Sequence, residues 1–355
     1  MTDAYVLRSA FAVGDDPRTG NPAAVCVVHR NRPGDDDVDA FDDFFNVHSE
    51  ASVRYQALAT ELDLSETAFA IREKPFSSDD NSNSMAEYRI RWFTPTQEIG
   101  LCGHASMATA SRALEFESAS RRGISFTHRD GEITIERDAN DPARFYMEMD
   151  ASAPSSFEGS DVALATIRDA FESSSAFASD EDDIESSLAN TKFTVRRNSI
   201  GDTFLVIQSS RSDDASACDS VARAYLRLPK PSLENIALVG GRGVCVVVPR
   251  TPAGLDIPLS ASGARPEYCV RWFGPLVGIE EDPVTGSACC GVAPLLDEIT
   301  PPLEPSRDGF RFGYQHSRRG GHVWCAVTRS SGRDRVRVAG RCVSYEFSNP
   351  SRACV

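Results

Sequence analysis

The chain is nearly without lysine: Lys74, Lys192 and Lys230 are the only three, and arginine supplies the rest of its 37 basic residues. Against 52 acidic residues this leaves a formal net charge of −15. A chain so acidic is a poor candidate for non-specific binding to nucleic acid or an anionic membrane, both of which need a basic surface. Long apolar runs are missing too, and no stretch approaches the roughly 18 to 20 residues of a membrane span. Met1–Arg8 has no basic segment leading into an apolar one, so no secretory signal is visible. The ten cysteines form no framework of small spacings and read as reduced thiols, which points to a cytoplasmic protein. A zinc site from Cys102, His104, Cys289 and Cys290 is set aside, because no C-x-x-C pair supports it and adjacent Cys289 and Cys290 would diverge by about 100° on a helix.

What is present is an ordinary globular mix, 41% hydrophobic and 25% charged over 355 residues, long enough for two domains. Short β-branched runs such as 23–28, 204–207 and 244–248 have strand length. Asp130-Gly131 between two such runs signals a hairpin. Helical patterns cover 52–64, 105–115, 162–173 and 219–226. The balance is α+β with strands in the majority. The acidic stretch 34–43 and the Ser- and Asp-rich stretch 173–187 read as solvated surface insertions. A linker is expected over 150–156, dividing the chain into domains of residues 1–152 and 153–355, with a return of the last strand to the first domain left open. Gly240-Gly241-Arg242-Gly243 precedes a strand rather than a helix, which excludes a dinucleotide loop and suggests a hairpin turn.

An internal repeat organises these pieces. Tyr88-Arg89-Ile90-Arg91-Trp92-Phe93-Thr94-Pro95 returns 180 residues later as Tyr268-Cys269-Val270-Arg271-Trp272-Phe273-Gly274-Pro275. Gly103-His104-Ala105-Ser106 and the small residues after it are paralleled 183 residues on by Gly286-Ser287-Ala288-Cys289. Two ordered matches indicate a duplicated α+β unit, each copy running strand, loop, glycine and small-residue helix.

Helix starts present free N–H groups and favour anions, so Gly103 and Gly286 mark a site where a substrate carboxylate could be held without metal. His104 follows at such a start, where a cation is disfavoured, which suggests a neutral imidazole in acid/base or hydrogen-bonding service. Asp282 stands four residues before Gly286, within reach of the same anion site. Glu66, in Leu64-Ser65-Glu66-Thr67-Ala68-Phe69, is balanced between capping and catalysis.

Together with Thr19-Gly20-Asn21-Pro22, 91–105, 271–288, Tyr314-Gln315 and Arg319-Gly320-Gly321, these motifs resemble the phenazine-biosynthesis-like isomerase family and, more distantly, diaminopimelate epimerase. The resemblance implies two pseudo-symmetric domains, each a mixed barrel-like sheet around a central helix, with the active site in a cleft between them. It implies Glu66 as general acid/base, with His104 and Asp282 as further catalytic residues. Asn21, Gly103, Gly286 and Ser287 would bind substrate, with no cofactor and no metal; homodimerisation follows by analogy. The epimerase relatives use a thiol from each half, but only Cys102 stands in such a position here, so it reads as a small buried residue. The expected function is a cofactor-independent isomerase moving a proton on a small carboxylate-bearing metabolite. The alternatives are a non-catalytic binding or scaffold protein on the same fold, and a racemase or epimerase using Cys102.

Overall fold

A computed structural model describes residues 5–28, 44–74, 84–172, 184–211, 214–228, 231–300, 309–330 and 332–345. The acidic stretch 34–43 and most of 173–187 lie outside the described residues. The chain divides into two compact units, Met1–Glu148 with Ala339–Val355, and Met149–Val338. Among the described residues no helix is long and apolar enough to cross a membrane.

In the first unit the strands are β1 (Val6–Ala10), β2 (Asn21–Val28), β3 (Glu66–Arg72), β4 (Met85–Phe93), β5 (Glu98–Ile99), β6 (Gly123–His128), β7 (Gly131–Arg137) and β8 (Arg144–Asp150). β15 (Arg335–Tyr345) begins in the second unit and ends in the first. The order β1-β2-β3-β4-β6-β7-β8-β15, closed by pairing of β1 with β15, makes an eight-stranded barrel with no free edge. β2 with β3 and β4 with β6 are parallel, so the sheet is mixed. The Asp-Gly hairpin joins β6 to β7 as its sequence indicates.

Helix α1 (Glu50–Leu62) is capped by Ser49, whose hydroxyl oxygen accepts from the Ser52 N–H. Helix α2 (Gly103–Ala113) packs against β1, β2, β3, β6 and β7. Nearly every one of its residues is buried, which explains its run of Ala, Ser and Thr: larger side chains would not fit inside the barrel. Its buried hydroxyls are satisfied locally, Ser106 donating to the Cys102 carbonyl, Thr109 to Ala105 and Ser111 to Ala108.

The second unit holds β9 (Thr191–Arg197), β10 (Asp202–Ser209), β11 (Gly243–Val248), β12 (Tyr268–Phe273), β13 (Arg311–Gln315) and β14 (Gly321–Thr328). Its helices are α3 (Ser160–Glu172), α4 (Ile184–Ala189), α5 (Asp219–Arg227), α6 (Leu233–Leu238) and α7 (Cys289–Ile299). From β9 to β14 the neighbours run antiparallel, parallel, antiparallel, parallel, antiparallel. β1 to β7 follow the same sequence of directions. α2 follows β4 as α7 follows β12, so the repeat is one of topology as well as sequence.

Some local expectations change. The four expected helices form with their ends displaced by up to two residues. The described end of the 173–187 stretch belongs to α4 rather than to a loop. Residues 240–243 are not a hairpin turn: Ser232 caps α6 by accepting from the Asn235 N–H, so a helix precedes them and the segment is a helix-to-strand connection. The stretch 150–156 is tied down within the second unit, where the Ser152 N–H donates to the Cys290 carbonyl at 2.8 Å and Ser155 bridges to Arg197.

The repeated strand carries a buried ion pair in each copy. Arg91 donates to both carboxylate oxygens of Glu98, at 2.9 and 2.8 Å, and Arg271 pairs with Glu281 at 2.7 Å. Both guanidinium groups also donate to backbone carbonyls, Phe44 in one copy and Tyr225 and Leu228 at the end of α5 in the other. Each lies over the phenylalanine two residues on, Phe93 at 5.0 Å and Phe273 at 4.8 Å. The arginine of the repeated Arg-Trp-Phe is therefore structural, and Glu281 is engaged in the same way as Glu98.

Candidate active site

In the first unit three side chains meet at the start of α2. Glu66 opens β3 opposite Ala23 of β2 and is 8% exposed. His104 is the second residue of α2, with Nε2 3.1 Å from Glu66 Oε2. The distance is that of an ion pair, yet neither atom has a well-aligned hydrogen bond among the described residues. On the other side of the ring, Nδ1 lies 3.4 Å from the sulfur of Cys102, the residue that caps the helix. Asn21 begins β2 two residues before Ala23 and is fully buried. Gly20 before it adopts φ +75°, and a Cβ there would meet the Ala10 carbonyl oxygen at 2.4 Å, so the Gly-Asn-Pro turn requires its glycine.

Burial and charge compete at all three groups. Burial pushes the Glu66 carboxyl up, but the charge of the adjacent His104 ring, with help from Ser65 and Cys102, brings it below its ordinary value. Burial pushes His104 down, but the Cys102 sulfur and the Glu66 carboxylate lift it well above an ordinary imidazole. Burial and the nearby Glu66 charge raise the Cys102 thiol. Against the neutral imidazole expected from a helix start stand the two groups in direct contact with the ring, which favour its charged form.

Glu66, Cys102 and His104 present ligand-type atoms all within 4.8 Å of one another. They form a compact triangle, in which the sulfur lies near the carboxylate as well as near the ring. Gly103 has a packing reason, since a Cβ would come within 2.6 Å of the Met147 methyl carbon.

In the second unit the residues from Asp282 to Ser287 form one turn leading into α7. Asp282 accepts from the Thr285 hydroxyl at 2.5 Å. Gln315 donates to the Asp282 carbonyl at 2.7 Å, and its own side-chain oxygen accepts from the Thr285 N–H at 2.8 Å. Gly286 and Ser287 lie in a short 3-10 turn, Gly286–Ala288. The Ser287 hydroxyl oxygen accepts from Arg242 at 2.9 Å. Arg242 is itself held by both carboxylate oxygens of the fully buried Asp202, which also accepts from the Trp272 indole at 3.1 Å.

Thus the first unit brings together Glu66 and His104, with Asn21 at the neighbouring strand start, and the second gathers Asp282, Gly286 and Ser287. Cys102 is buried, as expected, and sequence reasoning missed the contacts of Arg242, Asp202, Thr285 and Gln315. The signals were an arginine among glycines and the Tyr314-Gln315 stretch, neither of which says what it touches.

Comparison with known proteins agrees with this architecture. The family described as phenazine biosynthesis-like protein (PhzC-PhzF) matches residues 9–347. An uncharacterized isomerase of Pseudomonas aeruginosa is 29% identical over 94% of this chain and 93% of its own length. Phenazine biosynthesis-like domain-containing protein 1 of Mus musculus is 30% identical over 76% of this chain and 75% of its own. Among solved structures, a PhzF-family protein of Enterococcus faecalis superimposes with a TM-score of 0.63 at 23% identity, covering 96% of each chain. A predicted epimerase of Pseudomonas aeruginosa gives a TM-score of 0.53 at 20% identity, again over 96% of each chain. The chain belongs to the phenazine biosynthesis-like family, in which relatives carry the name isomerase, and it shares the fold of PhzF-family proteins.

Proposed function

We propose that the protein is a single-base isomerase, in which Glu66 takes a proton from one carbon of a small carboxylate-bearing metabolite and returns it to another. The observation that carries this reading is the inequality of the two repeats. Strand register pairs Thr67 with Phe93 and Val244 with Phe273, so the position equivalent to Glu66 is Gly243. A Cβ on Gly243 would meet the Trp272 ring at 2.5 Å and the Phe273 carbonyl oxygen at 2.6 Å, which leaves no room for an acid there. By the offset of 183 that relates Gly103 to Gly286, His104 corresponds to Ser287 and Cys102 to Thr285. At these positions one copy therefore carries a carboxylate, an imidazole and a thiol; the other carries a glycine and two hydroxyls, with the Asp282 carboxylate three residues before Thr285. A racemase that removes and delivers protons with matched bases needs both copies equipped.

Beside His104 the Glu66 carboxylate is ionised and able to act as base. Abstraction breaks a C–H bond, leaves an electron pair delocalised in the substrate and forms the Glu66 carboxylic acid. Reprotonation at a second carbon shifts the double bond and regenerates the carboxylate, with no oxidation or reduction. His104 opposes the loss of charge on Glu66 and sets its basicity. Ser287, Gly286, Gly103 and Asn21 are assigned to substrate binding, and Asp282 to the proton-handling set; this assignment rests on the sequence motifs.

The test is solvent-deuterium incorporation into a panel of small carboxylates, followed by mass spectrometry. Glu66→Gln is expected to lose about 10²- to 10⁴-fold of the parental rate, and an unchanged rate would overturn the assignment.

A further inference from the structure

Of the three side chains at the start of α2, Cys102 is the one without a task in the proton transfer. Its sulfur is nonetheless held in a defined place. The residue is extended, with φ −138° and ψ 112°, and its carbonyl accepts both from the Ser106 N–H at 3.1 Å and from the Ser106 hydroxyl at 2.6 Å. These bonds fix the backbone that carries the side chain, and the sulfur, buried with the rest of the residue, lies 3.4 Å from His104 Nδ1. His104 has two soft dihedral angles and stands where the helix offers its ring no backbone acceptor, since the free groups at that end are N–H donors. Its Nε2 approaches Glu66 Oε2 at 3.1 Å without good alignment, so that contact alone does not fix the ring. A second anchor on Nδ1 is what an oriented imidazole requires.

We infer that Cys102 is a positioning residue for the Glu66 proton transfer: through Nδ1 it holds the His104 ring so that Nε2 stays turned to the Glu66 carboxylate. The inference rests on the single-base reading for its catalytic consequence, but the anchoring itself is independent of any substrate. A thiol suits the task because it can either donate to Nδ1 or accept from it, so the contact survives a change in the charge of the ring.

The test uses the full chain labelled with ¹⁵N at its histidine rings, observed at neutral pH without ligand. His104 is identified among the six histidines by its absence from a His104→Asn protein. In Cys102→Ala the Nδ1 and Nε2 signals of His104 are expected to move while those of the other five histidines stay in place. Cys102→Ser, which keeps a hydrogen-bonding atom on the same branch, is expected to move Nδ1 and leave Nε2 near its parental position. An unchanged Nδ1 signal in either variant overturns the inference, and the serine variant carries the test if the alanine variant does not fold. A Glu66→Gln protein that turns over substrate at the parental rate would instead sink the single-base reading and leave the anchoring result standing.

Discussion

His104 shows how two contacts oppose what a residue's place in the chain suggests. A helix start and deep burial both favour the neutral ring, yet the carboxylate and sulfur at its two nitrogens favour the cation. The folded ring holds its proton to a higher pH than the unfolded chain, whose value is near the ordinary 6.5. The resulting stabilisation is fully present below pH 6.5 and is lost as pH rises toward the folded value. Urea midpoints measured as pH is raised from the ordinary imidazole value upward should therefore decline for the parent. They should stay flatter for His104→Asn, and parallel curves for the two proteins would show that His104 is not raised. Glu66 contributes in the opposite sense: its lowered carboxyl stabilises above the unfolded carboxylate value and ceases to do so as acid protonates the folded form.

Among the connections between elements, the one leading into β11 does most to distinguish the second unit from the first. Arg242 stands at its end, with Asp202 of β10 across from it and Ser287 beyond, and a Cβ on Gly241 would meet the Gly201 carbonyl oxygen at 2.4 Å. Arg242→Ala would leave the Asp202 carboxylate buried with the Trp272 indole as its remaining side-chain donor among the described residues. Stranding a buried charge in this way costs about 3–5 kcal/mol, to be read as a lower urea midpoint with unchanged slope. A change under 1 kcal/mol, about the worth of an exposed pair, would mean that Asp202 is not held as a buried ion. Gly243→Ala should cost about 1–3 kcal/mol through overpacking against Trp272.

These elements also show how far a linear reading reaches. The strands, the Asp-Gly hairpin and α2 were legible because alternation, turn chemistry and small-residue runs are local signals. Glu66 and His104 were legible through motifs. The Asp202–Arg242–Ser287 set was not, because its members lie 40 and 45 residues apart and meet only through sheet register. Helix α6 was missed for a different reason: Ile236-Ala237-Leu238-Val239 has the apolar run of a strand, and the Ser232 cap that decides for helix is a single side chain upstream.

At the scale of the whole chain, the two copies of a duplicated topology carry different groups, and a single base in one of them has an isotopic consequence. With one base, the proton that leaves the substrate resides on Glu66 until it is returned, so some of it reaches the product before water replaces it. Glu66 is 8% exposed, which slows that replacement. With two bases, the group that delivers the proton is never the one that removed it, and the product takes its hydrogen from solvent. A substrate carrying deuterium at the donor carbon, converted in ordinary water and sampled at low conversion, should therefore give product with measurable deuterium at the acceptor carbon. The same carryover should be absent from residual turnover by Glu66→Gln. Product free of label at every pH tested would require a second proton carrier, and Cys102, in contact with the same imidazole, would then be the group to examine first.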